Sequence, residues 1–501
     1  MASLSIVTRL WPRALGCKTA PLARLRGTDS VSPTNLQQLA QWPLPRLPRF
    51  VRESPVALRY LRLLGPLDWG NFPERPLDSY RYCPPVPYAP FVAACLVKLE
   101  EQLPHMTDLR DYLCEHPALV WVLGFPCIPS RRSPWGFDVD ASLPTARHFT
   151  RMLRTLSNAA LQWLLDNTVQ LLQTELRHVA PDFGQAISLD TKHILAWVKE
   201  NNPKAYVTAR FDKNTQPAGD PDCKLGCKRK RNQRSRGEKP ATCNEPATPR
   251  TNPRSPQGVA VGEYYWGYAS GVVATKVCDW AEIVLAELTQ TFDASDASYF
   301  QPLMDAVERR LGFAPRFGAF DAGFDAWYVY ERFQRADEPW QSAFAAVPWA
   351  KRGPKRTFNA DGLPLCEAGL AMPLKHVFMC CTTLLPHERG RYVCPLQYPI
   401  LTAEACPIGH RHWAKGGCVT TLATSIGARL RHQIDRTSEL YKTVYKQRTA
   451  TERINSQAVA LGIERPKLRN QQAITNQNTL IYVLINLRAL HRVRNRHTHS
   501  S

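Results

Sequence analysis

The sequence predicts a mixed α/β (α+β) fold, preceded by a helical domain and interrupted by a mostly β insertion. Three observations predict it. Apolar residues recur at helical spacing from residue 88 to about 180. After Pro181, short apolar and β-branched stretches alternate with helical ones, as in a layered sheet-and-helix domain. Between about 340 and 420 that alternation stops, and residues 350–420 carry six cysteines among strand-like pieces such as HVFMCCTTLL and GRYVCPL.

The elements follow in order. Residues 1–87 form a basic, Pro-rich N-terminal segment. Its first 28 residues carry five cations and no acid, in the manner of an organellar transit peptide, but Pro12 and Pro21 interrupt the helix such a peptide needs. Residues 29 to about 87, with WPLPRLPRF and YRYCPPVPYAP, are expected to be extended. In the 88–180 domain, FVAACLVKLEEQL and TDLRDYLCEHPALVWVLGF are helical stretches, separated by Pro104 and ended by Gly124. Thr145 is placed to cap the next helix, and an amphipathic run extends from Asn158 to about Val179.

The third unit, 181–495, starts with a strand ending at Asp190. GEYYWGYASGVVATKV (262–277) has the composition of a strand pair, WAEIVLAELTQTF of a helix, and a second helix is expected around Tyr299–Leu311. PRFGAFDAGFDAWYVYERF places a short strand before Asp321 and a helix after it. Residues 212–257 hold almost no apolar side chains, so they are expected to be a flexible loop. Helix is expected again over about 422–461 and through NTLIYVLINLRALHRV.

Charge bears on partners. Lys and Arg total 64 against 43 Asp and Glu, a net charge of +21, which excludes an acid-rich disordered tail and points to a polyanion. No uncharged apolar run reaches the roughly 18 residues of a membrane span. The 15 cysteines are diluted in 501 residues, so reduced thiols or metal ligands fit better than a disulfide framework.

Three acids stand where a site would be built. Asp190 and Asp321 each end a short apolar strand, and Glu452 lies on a helical stretch. Carboxylates from three distant segments suit hard divalent cations such as Mg²⁺ or Mn²⁺. Two ions held this way activate a hydroxyl and stabilise the leaving oxygen of a phosphodiester. Tyr445, Arg448 and Glu452 are spaced i, i+3, i+7 and would share one helix face, with Tyr441 near it. Arg448 could grip a phosphate bidentately, and Tyr445 could bond or stack on DNA.

These motifs resemble those of the DDE transposases of bacterial insertion sequences. The resemblance rests on SLDTK around Asp190, GAFDAGFDA around Asp321 and Tyr445-x2-Arg448-x3-Glu452. PHMTDLRDYLCEHPALVWVLGF, LPTARHFTRMLRTL, EYYWGYASGVV, DGLPLCEAGLAM and HWAKGGC extend it over roughly residues 88–495. The resemblance implies an RNase H-like catalytic domain, two Mg²⁺ or Mn²⁺ ions on Asp190, Asp321 and Glu452, and DNA cleavage with strand transfer. It also implies double-stranded DNA partners (terminal inverted repeats and target), binding or dimerisation through 88–180, a homodimer or larger synaptic complex, and a bacterial cytoplasm. Asp190 to Asp321 and Asp321 to Glu452 are both 131 residues, and the β insertion accounts for the length of the second gap. Where the family pattern has a Lys seven residues after the Glu, this chain has Val459, with Arg465 and Lys467 nearby.

Other readings stand beside these. Asp325 competes with Asp321, but a strand-end acid is the better metal ligand, and Asp325 is expected to serve the following helix. Lys192 and His193 are expected at the strand edge or on DNA. Lys228, Arg229, Lys230 and Arg231 belong to a run with eight cations against one acid over 224–239, suited to backbone phosphates. Cys223, Cys227 and Cys243, and separately Cys366, Cys394, Cys406, His410, His412 and Cys418, could hold Zn²⁺, but no CxxC is present and ordinary thiols are the first reading. Two rival functions share these features: a catalytically inactive transposase-derived DNA-binding protein, and a metal-dependent nuclease without strand transfer.

Overall fold

The computed structural model describes residues 36–75, 86–208, 210–229, 262–277, 280–336, 338–350, 355–381, 383–402 and 404–500. The transit-like stretch, most of the basic loop with Lys230 and Arg231, and Cys243 lie outside the described residues.

Among the described residues, the N-terminal segment corrects the extended expectation. It forms α1 (Leu36–Gln41), α2 (Arg49–Arg52) and α3 (Pro55–Leu64). The prolines start these helices rather than break them. Pro48 caps α2, and Pro55 occupies the first turn of α3, where no backbone N–H is needed, with the Ser54 hydroxyl accepting from the Ala57 amide at 3.2 Å. Tyr60, Leu61 and Leu64 bury the inner face of α3.

The helical layer continues with α4 (Tyr88–Glu100), α5 (Met106–Glu115) and α6 (Pro117–Leu123). Gly124 ends α6 at φ +87°, a conformation that costs a side-chain-bearing residue. A two-stranded ribbon, β1 (Ile128–Pro129) with β2 (Phe137–Asp138), precedes α7 (Val139–Ser142), α8 (Ala146–Thr155) and α9 (Asn158–Leu176). Thr145 caps α8 as its position predicts, accepting from the His148 amide at 3.3 Å.

The mixed sheet contains β3 (Ala186–Leu195), β4 (Lys224–Arg229), β5 (Gly262–Val277) and β6 (Ala281–Thr291). Then come α10 (Ala297–Leu311), β7 (Phe317–Ala319), α11 (Trp327–Phe333) and β8 (Phe344–Ala346). The strand order is β4-β5-β3-β7-β8, with β6 also paired to β5. β5 is antiparallel to β3, β4 and β6, while β3, β7 and β8 run parallel.

Three expectations are corrected here. Residues 262–277 are one long strand, not a pair. Gly267 and Gly271 lie inside it where neighbours come close: an added Cβ would stand 2.0 Å from the Ile194 carbonyl oxygen and 2.4 Å from the Tyr299 ring. Residues 281–291 are a strand, not a helix. Every position from Ala281 to Ala286 is buried, and burial on both faces removes the alternation that marks a half-exposed strand. The first part of the basic loop is also strand, with Lys228 and Arg229 opposite Glu263 and Gly262.

The insertion is mostly β, as expected: β9 (Leu374–Cys380), β10 (His387–Val393) and β11 (Val419–Ala423) form an antiparallel sheet. The chain returns through α12 (Ile426–Gln433), α13 (Glu439–Lys446) and α14 (Thr449–Ala460) to α15 (Gln471–Ser500). Two cores flank the mixed sheet. One joins α3–α9, α14, Leu480–Leu487 of α15 and the β residues Ile194, Val272 and Val284. The other joins α10–α13, the C-terminal half of α9, Leu490 and Val493 of α15, and Ile187, Leu189 and Val273. The 88–180 helices therefore share their core with the sheet and α15 instead of closing a separate one. No helix among the described residues is long and apolar enough to cross a membrane.

Candidate active site

The two aspartates meet through strand register. Ile187 pairs with Gly318 and Ser188 with Ala319 across parallel β3 and β7. Carrying that offset two residues further sets Asp190 level with Asp321, just past the end of β7. Strands about 4.8 Å apart make these carboxylates neighbours. Ile187 and Leu189 are buried in the core beneath, so alternation turns Asp190 to the other face, toward α14. Asp321 leaves its strand in an Asx turn, its Oδ1 accepting from the Gly323 amide at 2.7 Å.

A further acid, absent from the sequence expectations, joins them. Asp296 precedes α10 and accepts from the Thr191 hydroxyl at 3.0 Å. Burial pushes the Asp190 carboxyl up to about 6, against the Thr191 amide that favours its charged form. Asp321 and Asp296 push the same way as burial, and the Arg448 guanidinium opposes them.

Glu452 lies on α14, which packs against β3. Asn455, three residues on, donates to Asp190 Oδ2 at 3.2 Å. Arg448 lies near Asp190 and forms an ion pair with Glu452. The expectation that Tyr445, Arg448 and Glu452 share one helix is corrected. α13 ends at Lys446, i→i+3 bonds close at Gln447 and Arg448, and α14 starts at Thr449. Tyr445 belongs to the preceding helix and stacks on Tyr441, centroids 6.0 Å apart and planes within 9°. Arg448, at the joint, stays with Glu452.

Asp325 has the structural role expected of it. Arg431 grips it through two bonds of 2.8 and 2.7 Å, and the Tyr330 hydroxyl and Ala350 amide donate as well. Burial alone would raise its carboxyl, but these four donors hold it below the usual carboxylate range. Lys192 pairs with Glu464 at 2.5 Å, and His193 packs edge-on against Phe292.

A basic groove was also not evident from sequence. Lys98, Arg147, Arg154, Arg465, Lys467 and Arg469 line a cavity of about 650 Å³, with His105 and no acid in its wall. These cations come from three distant segments, so no local run announces them. Val459 and Gly462, at the C-terminal end of α14, form part of the wall. At 1.5 Å per residue, that is about 10 Å along the axis from Glu452. Val459 thus faces a groove in which Arg465 and Lys467 supply the charge.

Of the basic run, Lys228 and Arg229 sit at the end of β4, in the same sheet as Asp190 but separated from it by β5. Cys223 is buried and donates to the Asp220 carbonyl at 3.3 Å, while Cys227 is exposed on β4. Among the described residues no group of three or more His, Cys, Asp or Glu side chains stands placed to hold a metal ion.

No protein-family model matches the chain, and no curated protein matches it. The chemical case therefore rests on the residues themselves. Asp190, Asp321 and Asp296 gather at one end of the sheet near Arg448, the ion-pair partner of Glu452, and α14 runs on to a groove whose described lining holds cations and no acid. Such a place is stable at neutral pH when a multivalent cation compensates the acids and a polyanion the groove.

Proposed function

We propose that this chain is a DDE transposase with an RNase H-like catalytic domain, cutting DNA at transposon ends and transferring the strand to target DNA. The observation that carries the proposal is the level placement of Asp190 and Asp321 on adjacent parallel strands, with the helix of Glu452 tied to Asp190 through Asn455. The family resemblance of the surrounding motifs supports it.

Oxygen-only donors, with burial and then the neighbouring carboxylates raising Asp190, fit hard divalent cations. Asp190, Asp321 and Glu452 would hold two Mg²⁺ or Mn²⁺ ions. Bound there, such ions lower the pKa of an attacking water or hydroxyl and stabilise the leaving oxygen. The protein's own part is positioning. Asn455 orients the Asp190 carboxylate. Arg448 holds Glu452 and is free to turn to a phosphate once cations neutralise the acids. The groove beside α14 would hold backbone phosphates without reading bases. The 88–180 helices, whose Arg147 and Arg154 line that groove, would take the terminal repeat or the second protomer of a synaptic dimer.

The test uses duplex DNA cloned from either side of the coding region, where terminal inverted repeats are expected. With Mg²⁺ the protein should nick the repeat end and join it to a target plasmid, and with Ca²⁺ it should bind without cutting. Asp190→Ala and Glu452→Ala should bind the ends and not cut. Cutting without joining would replace the proposal with a nuclease, and binding without cutting in Mg²⁺ would leave a DNA-binding protein.

A further inference from the structure

The β insertion has a packing deficit. β9 exposes six of its seven residues, and the buried Met372, Tyr392, Val393 and Leu396 belong to neither main core. A three-stranded sheet with so few buried side chains needs another source of stability.

Four cysteines converge in this place. Cys366, Cys394, Cys406 and Cys418 all line one small cavity of about 10 Å³, roofed by Leu396 and Trp413. That is room for about one atom-sized guest. They arrive from four separate segments, and none of the four is in a disulfide. Their backbones are alike. The carbonyls of Cys366, Cys394 and Cys406 each accept from the amide three residues on, from Gly369 at 2.9 Å, Gln397 at 3.2 Å and Gly409 at 3.0 Å. Each of these cysteines therefore opens a tight turn that presents its thiol inward. The His410 amide also points at Cys406 Sγ, at 3.5 Å. Gly416 and Gly417, at φ +95° and +77°, make the turn before Cys418, and a Cβ on Gly417 would lie 3.0 Å from Cys394 Sγ. Cys418 hydrogen-bonds Cys394 and feels Cys366 as well.

One buried and three half-buried thiols around a single cavity, with the His410 amide aimed at one of them, suit a soft cation. Four thiolates round a divalent ion carry a net negative charge, and the adjoining cavity supplies the opposite sign with Lys355, Arg356, Arg411 and Lys415. We propose that Cys366, Cys394, Cys406 and Cys418 hold a structural Zn²⁺ that stands in for a hydrophobic core in the insertion. The thiols are short of coordination geometry without the ion. Binding draws them to about 2.3 Å from it and releases their four protons to solvent. The ion would cross-link four segments of chain and so hold β9–β11 together.

The test is the metal content of the full chain purified under reducing conditions. One zinc per chain is expected, released when a mercurial reagent titrates the thiols. Co²⁺ in its place should give the intense near-ultraviolet thiolate charge-transfer absorption. Cys394→Ser and Cys418→Ser should lose the zinc and the cobalt signal. Cys380→Ser and Cys381→Ser, which leave the cavity wall intact, should keep both. Because a Cys→Ser variant can misfold, the unaltered chain is also melted with and without a zinc chelator, which should lower the transition. A chain that retains no zinc, gives no charge-transfer band with Co²⁺ and melts alike with and without chelator overturns the proposal, as does full zinc in both cavity variants.

Discussion

An ionised Asp190 is in conflict with its surroundings. Its folded value of about 6 lies above the ordinary 3.8, so the folded protein holds its proton more tightly than the unfolded chain. Below about pH 4 both states are protonated and nothing is lost. As pH rises through about 6 the folded state must carry the charge, and stability falls by an amount bounded at about 3 kcal/mol. Without divalent cations, Asp190→Asn should therefore be more stable than the parent at pH 7 and indistinguishable from it near pH 4, as read by urea midpoints. Equal midpoints at pH 7 would remove the electrostatic account. The two aspartates four residues apart should also behave oppositely. Asp325→Asn breaks the two-bond grip of half-buried Arg431 on buried Asp325 and should cost about 3 kcal/mol in thermal or urea unfolding. Asp321→Asn should leave stability near the parent value and abolish Mg²⁺-dependent cutting.

At the scale of elements, among the described residues β6 pairs along one edge, and Asn486 of α15 sits at the other. Asn486 of α15 accepts from the Val284 amide and donates to the Val284 carbonyl, both at 2.8 Å, acting as a short stretch of missing strand. Asn486→Leu would leave both backbone groups buried and unpaired, with an expected loss of about 3 kcal/mol in urea unfolding. A change under about 0.5 kcal/mol would mean that water replaces the amide.

That same edge explains what sequence could and could not reveal. The helices of 146–176 and 297–311 were legible because each leaves one face exposed, and those before them because local signals such as Gly124 end them. β6 was not, because both its faces are covered and no alternation marks it as a strand. The prolines of 43–55 carry the same composition whether they break a helix or begin one, and only packing distinguishes the two. In the site, Asp190, Asp321 and Glu452 stood in recognisable local contexts. Asp296 and Asn455 did not, since each is defined by a tertiary bond, to Thr191 and to Asp190. The division between α13 and α14 was hidden because Gln447 and Arg448 keep nearly helical backbone angles.

For the whole molecule, the net charge of +21 becomes a location as well as a quantity. The groove beside α14 gathers cations from residues 98, 147–154 and 465–469 without an acid among them. Arg154→Ala with Arg465→Ala should weaken duplex binding alike for all sequences. It should also reduce the steepness of affinity against salt by about 2 on the log–log plot, one for each phosphate no longer neutralised. An unchanged slope in a filter-binding or fluorescence titration would place the DNA elsewhere.

α15 has a consequence in time. It completes both cores, yet every strand and helix it packs against is synthesised before it. At about 5–20 residues per second, the ribosome needs roughly 10–40 s to travel from Thr291 to Gln471. Throughout that interval the nascent chain holds one edge of β6 without its α15 cover and α9 without the α15 face it packs against. Folding here is governed by what arrives last, and the emerging chain depends on chaperones or on speed to avoid pairing that edge with another copy. A chain stopped at residue 470 should be caught in that condition permanently, protease-sensitive from α9 to α14.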